Sequence, residues 1–323
     1  MGLAAVVLAL ATACSSATTS LGSGPTAGAT PPGSGTVRDT ASSSPLPQAP
    51  LTGRTTTQAA SVRPVVAVAL VGGAGVVGVA AGDVVYEAYP GAGQVRLTVL
   101  YQSSFPPLAS TVTTTVPTDP VLLSPLRGVL ASAGGSQGFL SQLAASPVVA
   151  ATPQSRPHAF TLSAAGLAVS PSALVSLGKQ PPPLLSWRAP GQGFAVVGAR
   201  TALSVAVSLP GYPTLTFASH GGVWTSAQQP WLPAAANVIV QEVRYKTATV
   251  SSRTGLTTQI ALLDGRGSCV AASGTEVVGC SWLKAGPAAL TTYFDASGTP
   301  LGFAPGRTVV LLLPVGVGAG VSS

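Results

Sequence analysis

Residues 63–101 read RPVVAVALVGGAGVVGVAAGDVVYEAYPGAGQVRLTVLY, and this is the first stretch of the chain that could build a core. Residues 65–71 form a continuous apolar, β-branched run, which is typical of a strand buried on both faces. Residues 83–89 and 95–101 also have the composition of strands, and the Pro-Gly-Ala-Gly segment between them favours a reversal. We therefore predict a buried strand followed by a β-hairpin.

Two functional alternatives apply to the same stretch. Gly73, Gly75 and Gly78 match G-x-G-x-x-G, which cradles a pyrophosphate when it follows a strand and opens a helix. The residues that follow are β-branched and interrupted by Gly82, so a simple glycine-rich loop is the favoured interpretation. Residues 64–82 are also uncharged over a length that can span a bilayer, although their glycines and leading proline disfavour a helix.

The composition limits the classes of partner. Charged residues make up 7% of the 323-residue chain, against roughly 25% in ordinary soluble domains. Ala, Gly, Val, Pro, Ser and Thr dominate, as expected for a GC-rich, actinobacteria-like genome. The formal net charge is +7, but the lysines and arginines are scattered, and nucleic-acid binding requires a clustered basic patch. We predict no nucleic-acid partner.

The N-terminal segment has the features of an export signal. Residues 3–13 are apolar and end in small residues before Cys14, as in bacterial lipoprotein signals, in which the cysteine becomes the lipidated N-terminus. A basic n-region is missing, so we expect the native start to lie upstream of Met1. A chance apolar N-terminus is the alternative. We predict a signal at 1–14 and a secreted chain that a lipid anchor holds to the outer face of the cytoplasmic membrane.

The segment after Cys14 differs in composition from the rest of the chain. Residues 15–62 are rich in Ser, Thr, Gly and Pro and have no apolar period. Such a segment cannot bury enough surface to offset the entropy cost of ordering. We predict a disordered tether that holds a folded body away from the membrane.

Residues 63–190 mix strand and helix signals and are interpreted as an α+β domain. Asp119 followed by Pro120 predicts a helix start, because a capping carboxylate followed by proline suits the first turn. Pro171 interrupts a later segment of helical composition. The predicted elements after the hairpin are helices at 121–132, 137–144 and 163–177 and a strand at 148–151.

Residues 191–314 change to short alternating segments separated by turn signals, which predicts a mostly antiparallel β domain. The segment NVIVQEVRY at 237–245 alternates cleanly, and its mixed faces suggest a sheet with one partly wet side. Residues 315–323 are predicted to be a flexible tail, and the chain as a whole is assigned to the α+β class. The predicted strands lie at 194–199, 203–208, 213–218, 237–245, 257–263, 276–283 and 308–313.

Three cysteines occur in the chain, at positions 14, 269 and 280. A reversal around Ser273–Gly274 would bring Cys269 and Cys280 across a hairpin, and a disulfide is the expected state in an exported chain. Two free buried thiols are the alternative. No cysteine or histidine cluster has the spacing of a metal site, so no metal is predicted.

Several segments in a fixed order carry a family resemblance. They are RPVVAVALV, GDVVYE, PTDPVLLSPL, RPHAF, PPPLLSW, AANVIVQEVRY, LLDGRG and APGRTVVLLLP. Their order and spacing resemble those of the YerB-like bacterial lipoproteins, a two-domain family without an established biochemical function. The resemblance covers about residues 63–314 and implies an envelope-exposed, lipid-anchored protein.

The chain also departs from the family pattern at two places. Val71 and Gly72 stand where the family has Asp-Asn, and STVTTTV at 110–116 replaces an arginine-bearing Gly-Pro-Val-Arg-Ser-Ala-Arg segment. If those family residues line a polar cleft, the resemblance implies that this chain is a degenerate member, which binds without chemistry or serves as a scaffold.

Five polar residues are retained in the matching motifs and form the candidate pocket: Asp83, Glu87, Asp119, Arg127 and His158. Together they could bind a polar ligand, and paired carboxylates could perform acid–base chemistry when their pKa values differ. The structural alternative makes Asp119 a helix cap, and it places Asp83 and Glu87 at strand positions that face water. Arg127 is then a surface helix charge, and His158 hydrogen-bonds a backbone carbonyl. The G-x-S-x-G motif of serine hydrolases is absent, and the four tryptophans are interpreted as packing residues rather than a sugar platform.

These observations predict a lipid-anchored cell-envelope protein that binds or scaffolds a wall polymer or an envelope protein. No cofactor, catalytic residue or defined chemistry is predicted. The alternative is a hydrolase acting on a cell-wall or glycan substrate through Asp83, Glu87 and Asp119, and the sequence leaves enzymatic activity open.

Overall fold

A computed structural model of the chain describes residues 46–91, 93–251 and 253–323, and strands predominate in it. The helices are α1 (Gln58–Ser61), α2 (Thr118–Leu123) and α3 (Gln137–Ala144), with short 3-10 helices at Val79–Ala81, Ser124–Leu126, Pro157–Ala159 and Pro171–Leu177. The strands are β1 (Val66–Gly72), β2 (Val84–Gly91), β3 (Gln94–Tyr101), β4 (Ala109–Ser110), β5 (Val129–Ala131), β6 (Val149–Ala151), β7 (Phe160–Ser163), β8 (Gly166–Val169), β9 (Arg200–Thr201), β10 (Ser204–Val207), β11 (Leu215–His220), β12 (Val223–Thr225), β13 (Asn237–Ser251), β14 (Leu256–Leu262), β15 (Gly265–Ser273), β16 (Glu276–Lys284), β17 (Thr292–Phe294), β18 (Thr308–Pro314) and β19 (Ala319–Ser322).

One large sheet organises the described residues. Its strand order is β17-β16-β15-β13-β18-β2-β3-β1-β5-β6, with β14 paired to β13 and β9 paired to β16. Strand β18 lies between β13 and β2 and runs parallel to both. A four-stranded sheet has the order β12-β11-β10-β19, and a three-stranded sheet has the order β4-β8-β7.

The large sheet separates two hydrophobic clusters, and the alternation along its strands decides which residue joins which cluster. In β1, Val66, Val68 and Leu70 belong to one cluster, together with Phe217 and Trp224 of the four-stranded sheet. We call this side the sheet-covered face. We call the opposite side the helix-covered face. There, Ala67 and Ala69 of β1 pack in a second cluster with Leu123, Leu126 and Leu143 of the helical segments.

The sequence predicts the local elements of residues 63–101 correctly. The apolar run is β1, and the predicted hairpin is β2 and β3, whose register joins Val84 to Leu100 and Glu87 to Leu97. The apolar stretch at 64–82 consists of β1, a loop and a 3-10 helix. Among the described residues, no helix is long and apolar enough to cross a membrane.

The α+β assignment is too helical, because the fold is mostly β. The predicted helix at 121–132 ends at Leu126, and Val129–Ala131 form β5, which pairs in parallel with β1 and β6. The segment at 163–177 contributes β8 and then a 3-10 helix that starts at Pro171. In the first case, pairing with β1 and β6 outweighs local helix propensity, and in the second case, pairing with adjacent β7 and with β4 does so. The predicted strand at 194–199 is irregular.

Other strand predictions hold with small shifts, and the predicted partly wet side of 237–245 is limited to half-buried Glu242 and exposed Arg244. Residues 237–241 are buried on both faces, because Val238 and Val240 pack in the cluster of the sheet-covered face and Ile239 packs in that of the helix-covered face. Only the outer half of the strand, where Arg244 is exposed, reaches solvent.

Strands from both sides of the predicted boundary at residue 190 join the same large sheet. Residues 315–323, predicted as a flexible tail, contain β19, which pairs with β10. The last part of the predicted tether is also folded, because Leu51 is fully buried and its N–H donates to Gln102 Oε1. Residues 1–45, including Cys14, lie outside the described residues.

Candidate functional site

The carboxylate of Glu87 lies inside the sheet-covered face, on β2, and is fully buried. Its Oε1 accepts hydrogen bonds from the Tyr89 hydroxyl at 3.0 Å and from Gln229 Nε2 at 2.5 Å. Its Oε2 has no hydrogen-bond partner among the described residues, and no described basic side chain forms an ion pair with it. Burial raises the pKa of Glu87 to about 7, although the two hydrogen bonds oppose the shift.

Asp119 is equally buried but is held by a cation. Arg96 Nη2 lies 2.6 Å from Asp119 Oδ2. The Thr115 hydroxyl and the backbone N–H of Val116 donate to the same oxygen, and the Thr98 hydroxyl donates to Oδ1. This arrangement satisfies a buried charge through one ion pair and several hydrogen bonds.

The predicted role of Asp119 as a helix cap is wrong. Helix α2 begins at Thr118, with Pro117 at the capping position and no side-chain cap. Asp119 therefore lies within the first turn. Its carboxylate accepts hydrogen bonds from Thr115 and Val116 of the preceding loop and from Thr98 of β3.

Glu87 and Asp119 lie on opposite faces of the large sheet. Glu87 lies on β2 between Val85 and Tyr89 at every second position, so its side chain projects to the sheet-covered face as theirs do. The partners of Asp119 on β3, Arg96 and Thr98, alternate with the buried residues of that face and therefore project to the helix-covered face. The two carboxylates cannot act together on one substrate.

Asp83 has a structural position at the start of β2. Its Oδ2 accepts from the backbone N–H groups of Gln102 and Ser103 at 2.7 and 2.6 Å, which fixes the chain where β3 ends. Burial raises the pKa of Asp83, and these hydrogen bonds and the nearby Arg307 oppose the shift.

Arg127 and His158 are exposed. Arg127 has a left-handed backbone, with φ of 50°, at the end of the 3-10 helix that follows α2. His158 lies in the 3-10 helix Pro157–Ala159. The five residues predicted to form one pocket are therefore not gathered in one place.

A polar cleft of about 600 Å³ opens on the helix-covered side, between the ends of β1 and β3, the start of α3 and the β13–β14 hairpin. Val71, Phe139 and Leu256 supply apolar surface. Among its described lining residues, Arg96 alone is charged. The side chains that offer hydroxyl, amide or guanidinium groups are Gln94, Arg96, Thr113, Thr114, Ser136, Thr257, Thr258 and Gln259.

Two acceptors hold the guanidinium of Arg96 in the wall of the cleft. Besides its ion pair with Asp119, its Nη1 donates to the carbonyl oxygen of Thr114 at 2.8 Å. Its Nε has no partner among the described residues. The guanidinium is thus held in one orientation with its charge balanced, and it retains N–H groups beyond those that these bonds use.

An aromatic pocket of about 200 Å³ opens on the sheet-covered side, near the β2–β3 turn. The rings of Tyr89 and Tyr212 meet edge to face, with centroids 5.0 Å apart, and Trp231 also lines the pocket. Gln229 Oε1 and Trp231 Nε1 are buried and have no partner among the described residues. Glu87 lies directly behind Tyr89 and Gln229.

Cys269 and Cys280 form the predicted disulfide across β15 and β16. The two residues are directly opposite in the register, with Cα atoms 4.8 Å apart, and the chain reverses after Ser273 as predicted. Trp224 and Trp282 are buried, and their indole N–H groups donate to backbone carbonyls, which agrees with their interpretation as packing residues.

The glycine-rich loop lacks the helix that dinucleotide binding requires. Gly78 is followed by the three-residue 3-10 helix Val79–Ala81 and then by β2. Gly73, Gly75 and Gly78 all have positive φ values, which explains the glycines by backbone conformation alone. Within the described part of the chain, no three His, Cys, Asp or Glu side chains cluster as metal ligands.

Sequence reasoning missed Arg96, Tyr89 and Gln229. Arg96 and Thr98 occupy one side of the alternating segment VRLTVLY, and that pattern could have identified both as neighbours of a buried carboxylate. Gln229 has no comparable signal, because it reaches Glu87 from a loop 142 residues away.

The class of protein follows from two family models that match the chain. The N-terminal domain of a protein of unknown function, DUF3048, matches residues 51–168, and the C-terminal domain of the same family matches residues 219–310. The matches together cover more than half of the chain, which therefore belongs to this two-domain family.

A solved structure has the same fold as this chain. The crystal structure of the YerB protein from Bacillus subtilis superimposes with a TM-score of 0.69 and 17% sequence identity, over 85% of this chain and 99% of YerB. This confirms the resemblance to YerB-like proteins and, at such low identity, establishes a shared fold. Comparison with curated protein sequences finds no significant match.

Proposed function

We propose that this chain is a lipid-anchored binding protein of the cell envelope, and that its polar cleft holds a hydroxyl-rich component of the cell wall. The observation that carries the proposal is the lining of the cleft. Hydroxyl and amide side chains surround one arginine whose charge Asp119 balances. A volume of about 600 Å³ falls within the roughly 300–1,000 Å³ of small-molecule sites.

The two kinds of lining suit the two kinds of surface on a sugar. Ser, Thr and Gln side chains both donate and accept hydrogen bonds, as sugar hydroxyls do. Val71, Phe139 and Leu256 offer apolar contacts to the C–H faces of a ring. Arg96 adds fixed donors for an ether, carbonyl or carboxylate oxygen.

Binding is favoured over hydrolysis because of the placement of the acidic groups. Glu87 and Asp119 are on opposite faces of the sheet, and no acidic residue is among the described residues that line the cleft. Asp119 reaches the cleft only through Arg96. An acid–base pair for the alternative hydrolase is therefore missing from this site.

Binding to isolated wall material tests the cleft. The purified chain would be mixed with insoluble cell-wall polymer, and the bound fraction measured by sedimentation. Thr114→Trp and Thr257→Trp place an indole at the cleft and are expected to weaken binding at least about tenfold, about 1.4 kcal/mol. Thr161→Trp, on exposed β7 away from the cleft, is the matched control and should bind as the parent chain does. Equal binding by all four proteins would refute the proposal.

The anchoring part of the proposal rests on the signal-like segment, on Cys14 and on the Cys269–Cys280 disulfide, which is a common feature of exported proteins. Metabolic labelling with a clickable fatty acid, followed by fractionation, is the direct test. We expect label on the membrane-bound parent chain and none on Cys14→Ser. An unlabelled parent chain in the cytosol would contradict the proposal.

A further inference from the structure

The aromatic pocket holds an unusual group of polar atoms without partners. Gln229 Oε1 and Trp231 Nε1 belong to residues that line the pocket, and Glu87 Oε2 lies behind them. Leaving a buried polar atom unpaired costs about 1–3 kcal/mol, so native structures contain few such atoms, and each calls for an explanation. Two of them on lining residues, and a third on a carboxylate that is hydrogen-bonded to one of those residues, indicate that the pocket is built to supply hydrogen bonds to an occupant.

The charge around the pocket has one sign. None of the described lining residues is basic, whereas Glu87 is fully buried against Tyr89 and Gln229. The faces of Tyr89, Tyr212 and Trp231 carry the negative side of the aromatic quadrupole. Aromatic faces with a carboxylate behind them attract an organic cation.

We propose that this aromatic pocket binds a small primary ammonium ion with a short apolar body. The ammonium group would donate to Gln229 Oε1 and lie against the aromatic rings, with Glu87 as its countercharge. The body would pack against Val95, Val207 and Leu215. Since an apolar cavity of about 150 Å³ accepts benzene, a pocket of about 200 Å³ has room for one ring and a short amine chain.

The pocket predicts a pH dependence. Burial raises the pKa of Glu87 to about 7, and a bound cation favours the ionised carboxylate, so binding near neutral pH releases protons. Among the described residues, the titratable groups next to Glu87 are tyrosines: Tyr89 on its own strand and Tyr245 of β13, with Tyr212 of the β10–β11 connection against Tyr89. Burial raises the pKa of Tyr89 and of Tyr245 further above their usual value. Glu87 is therefore the group whose titration changes amine affinity between pH 5.5 and 8.

Calorimetric titration of the full chain with 2-phenylethylamine and with its neutral counterpart 2-phenylethanol tests the proposal. The amine should bind about tenfold more tightly at pH 8 than at pH 5.5, because Glu87 ionises in between. Its binding heat should also vary with the ionisation enthalpy of the buffer. The alcohol should bind more weakly and without pH dependence.

Three variants separate the possible explanations. Glu87→Gln should weaken amine binding about tenfold and remove its pH dependence, while Leu209→Trp should fill the pocket and abolish binding of both probes. Thr114→Trp, which blocks only the polar cleft, should leave amine binding unchanged, so this test is independent of the wall-binding proposal.

Circular dichroism melts would verify that each variant folds. Equal affinity for amine and alcohol, pH-dependent binding that persists in Glu87→Gln, or no binding at millimolar probe would overturn the proposal.

Discussion

Glu87 and Asp119 are both fully buried carboxylates on opposite faces of one sheet, yet their surroundings differ completely. Asp119 has Arg96, two hydroxyls and a backbone N–H. Glu87 has two neutral donors and one oxygen without a partner. Burial alone therefore does not define the role of an acidic residue. A paired carboxylate fixes a cleft wall, whereas an unpaired one can respond to a ligand.

The largest expected effect comes from removing the cation beside Asp119. Arg96→Met leaves a buried carboxylate without its partner, which typically costs about 3–5 kcal/mol of unfolding free energy. Urea unfolding at pH 7 would measure the loss. Arg266→Met removes an exposed arginine from β15 and should change the stability by less than about 0.5 kcal/mol.

A double variant tests whether the unpaired charge of Asp119 causes this loss of stability. Arg96→Met combined with Asp119→Asn removes both charges, and it should be more stable than Arg96→Met alone because no charge remains unpaired. If Arg96→Met and Arg266→Met were equally stable, the contrast between the two carboxylates would be wrong.

The next effect concerns the pH dependence that Glu87 imposes on stability. Its pKa is raised from 4.5 to about 7 in the folded state, so the folded chain binds more protons than the unfolded chain between these values. The stability contributed by the protonated group is therefore present below pH 4.5 and is lost as the pH rises to about 7. The loss amounts to about 3 kcal/mol for a shift of this size.

Glu87→Gln isolates this contribution. The variant should match the parent chain at pH 4.5 and exceed its unfolding free energy at pH 8 by up to about 3 kcal/mol. Asp83, whose pKa burial also raises, is present in both proteins and cancels from the difference. A difference in stability that stays constant from pH 4.5 to pH 8 would contradict the assigned role of Glu87.

The smallest effect compares one hydroxyl donor at each carboxylate. Thr98→Val removes a donor to Asp119 and should cost about 1.5–3 kcal/mol, a typical value for a hydrogen bond to a charged group. Tyr89→Phe removes a donor to Glu87, and its cost should grow as the pH rises through 7, because the bond is stronger to the ionised form. Parallel pH profiles for the two variants would remove the distinction.

The sequence predicts local structure well where short-range signals decide it. The β2–β3 hairpin and the Cys269–Cys280 pair follow from alternation and turn residues within about twenty positions. Val129–Ala131 could not be assigned in the same way, because these residues are a strand only through parallel pairing with β1 and β6. Leu51 likewise lies in a segment whose composition suggests disorder, yet Gln102 and the core hold it in place.

The candidate site shows the same limit. Retention in family-like motifs selected Asp83, Glu87 and Asp119, which are buried and hydrogen-bonded, but it also selected exposed Arg127 and His158. Composition cannot distinguish the two faces of a sheet when a strand is buried on both sides. The separation of Glu87 from Asp119, and the arrival of Gln229 beside Glu87, depend on the long-range arrangement of strands.

Strand β18 has a consequence for how the protein is made. It follows every other strand of the large sheet in sequence, yet it occupies the gap between β13 and β2. During synthesis, the two parts of the sheet have open edges until this last segment is available to pair with them. Since unpaired edges invite association with other chains, we expect newly emerged chains to depend on folding helpers until β18 closes the gap.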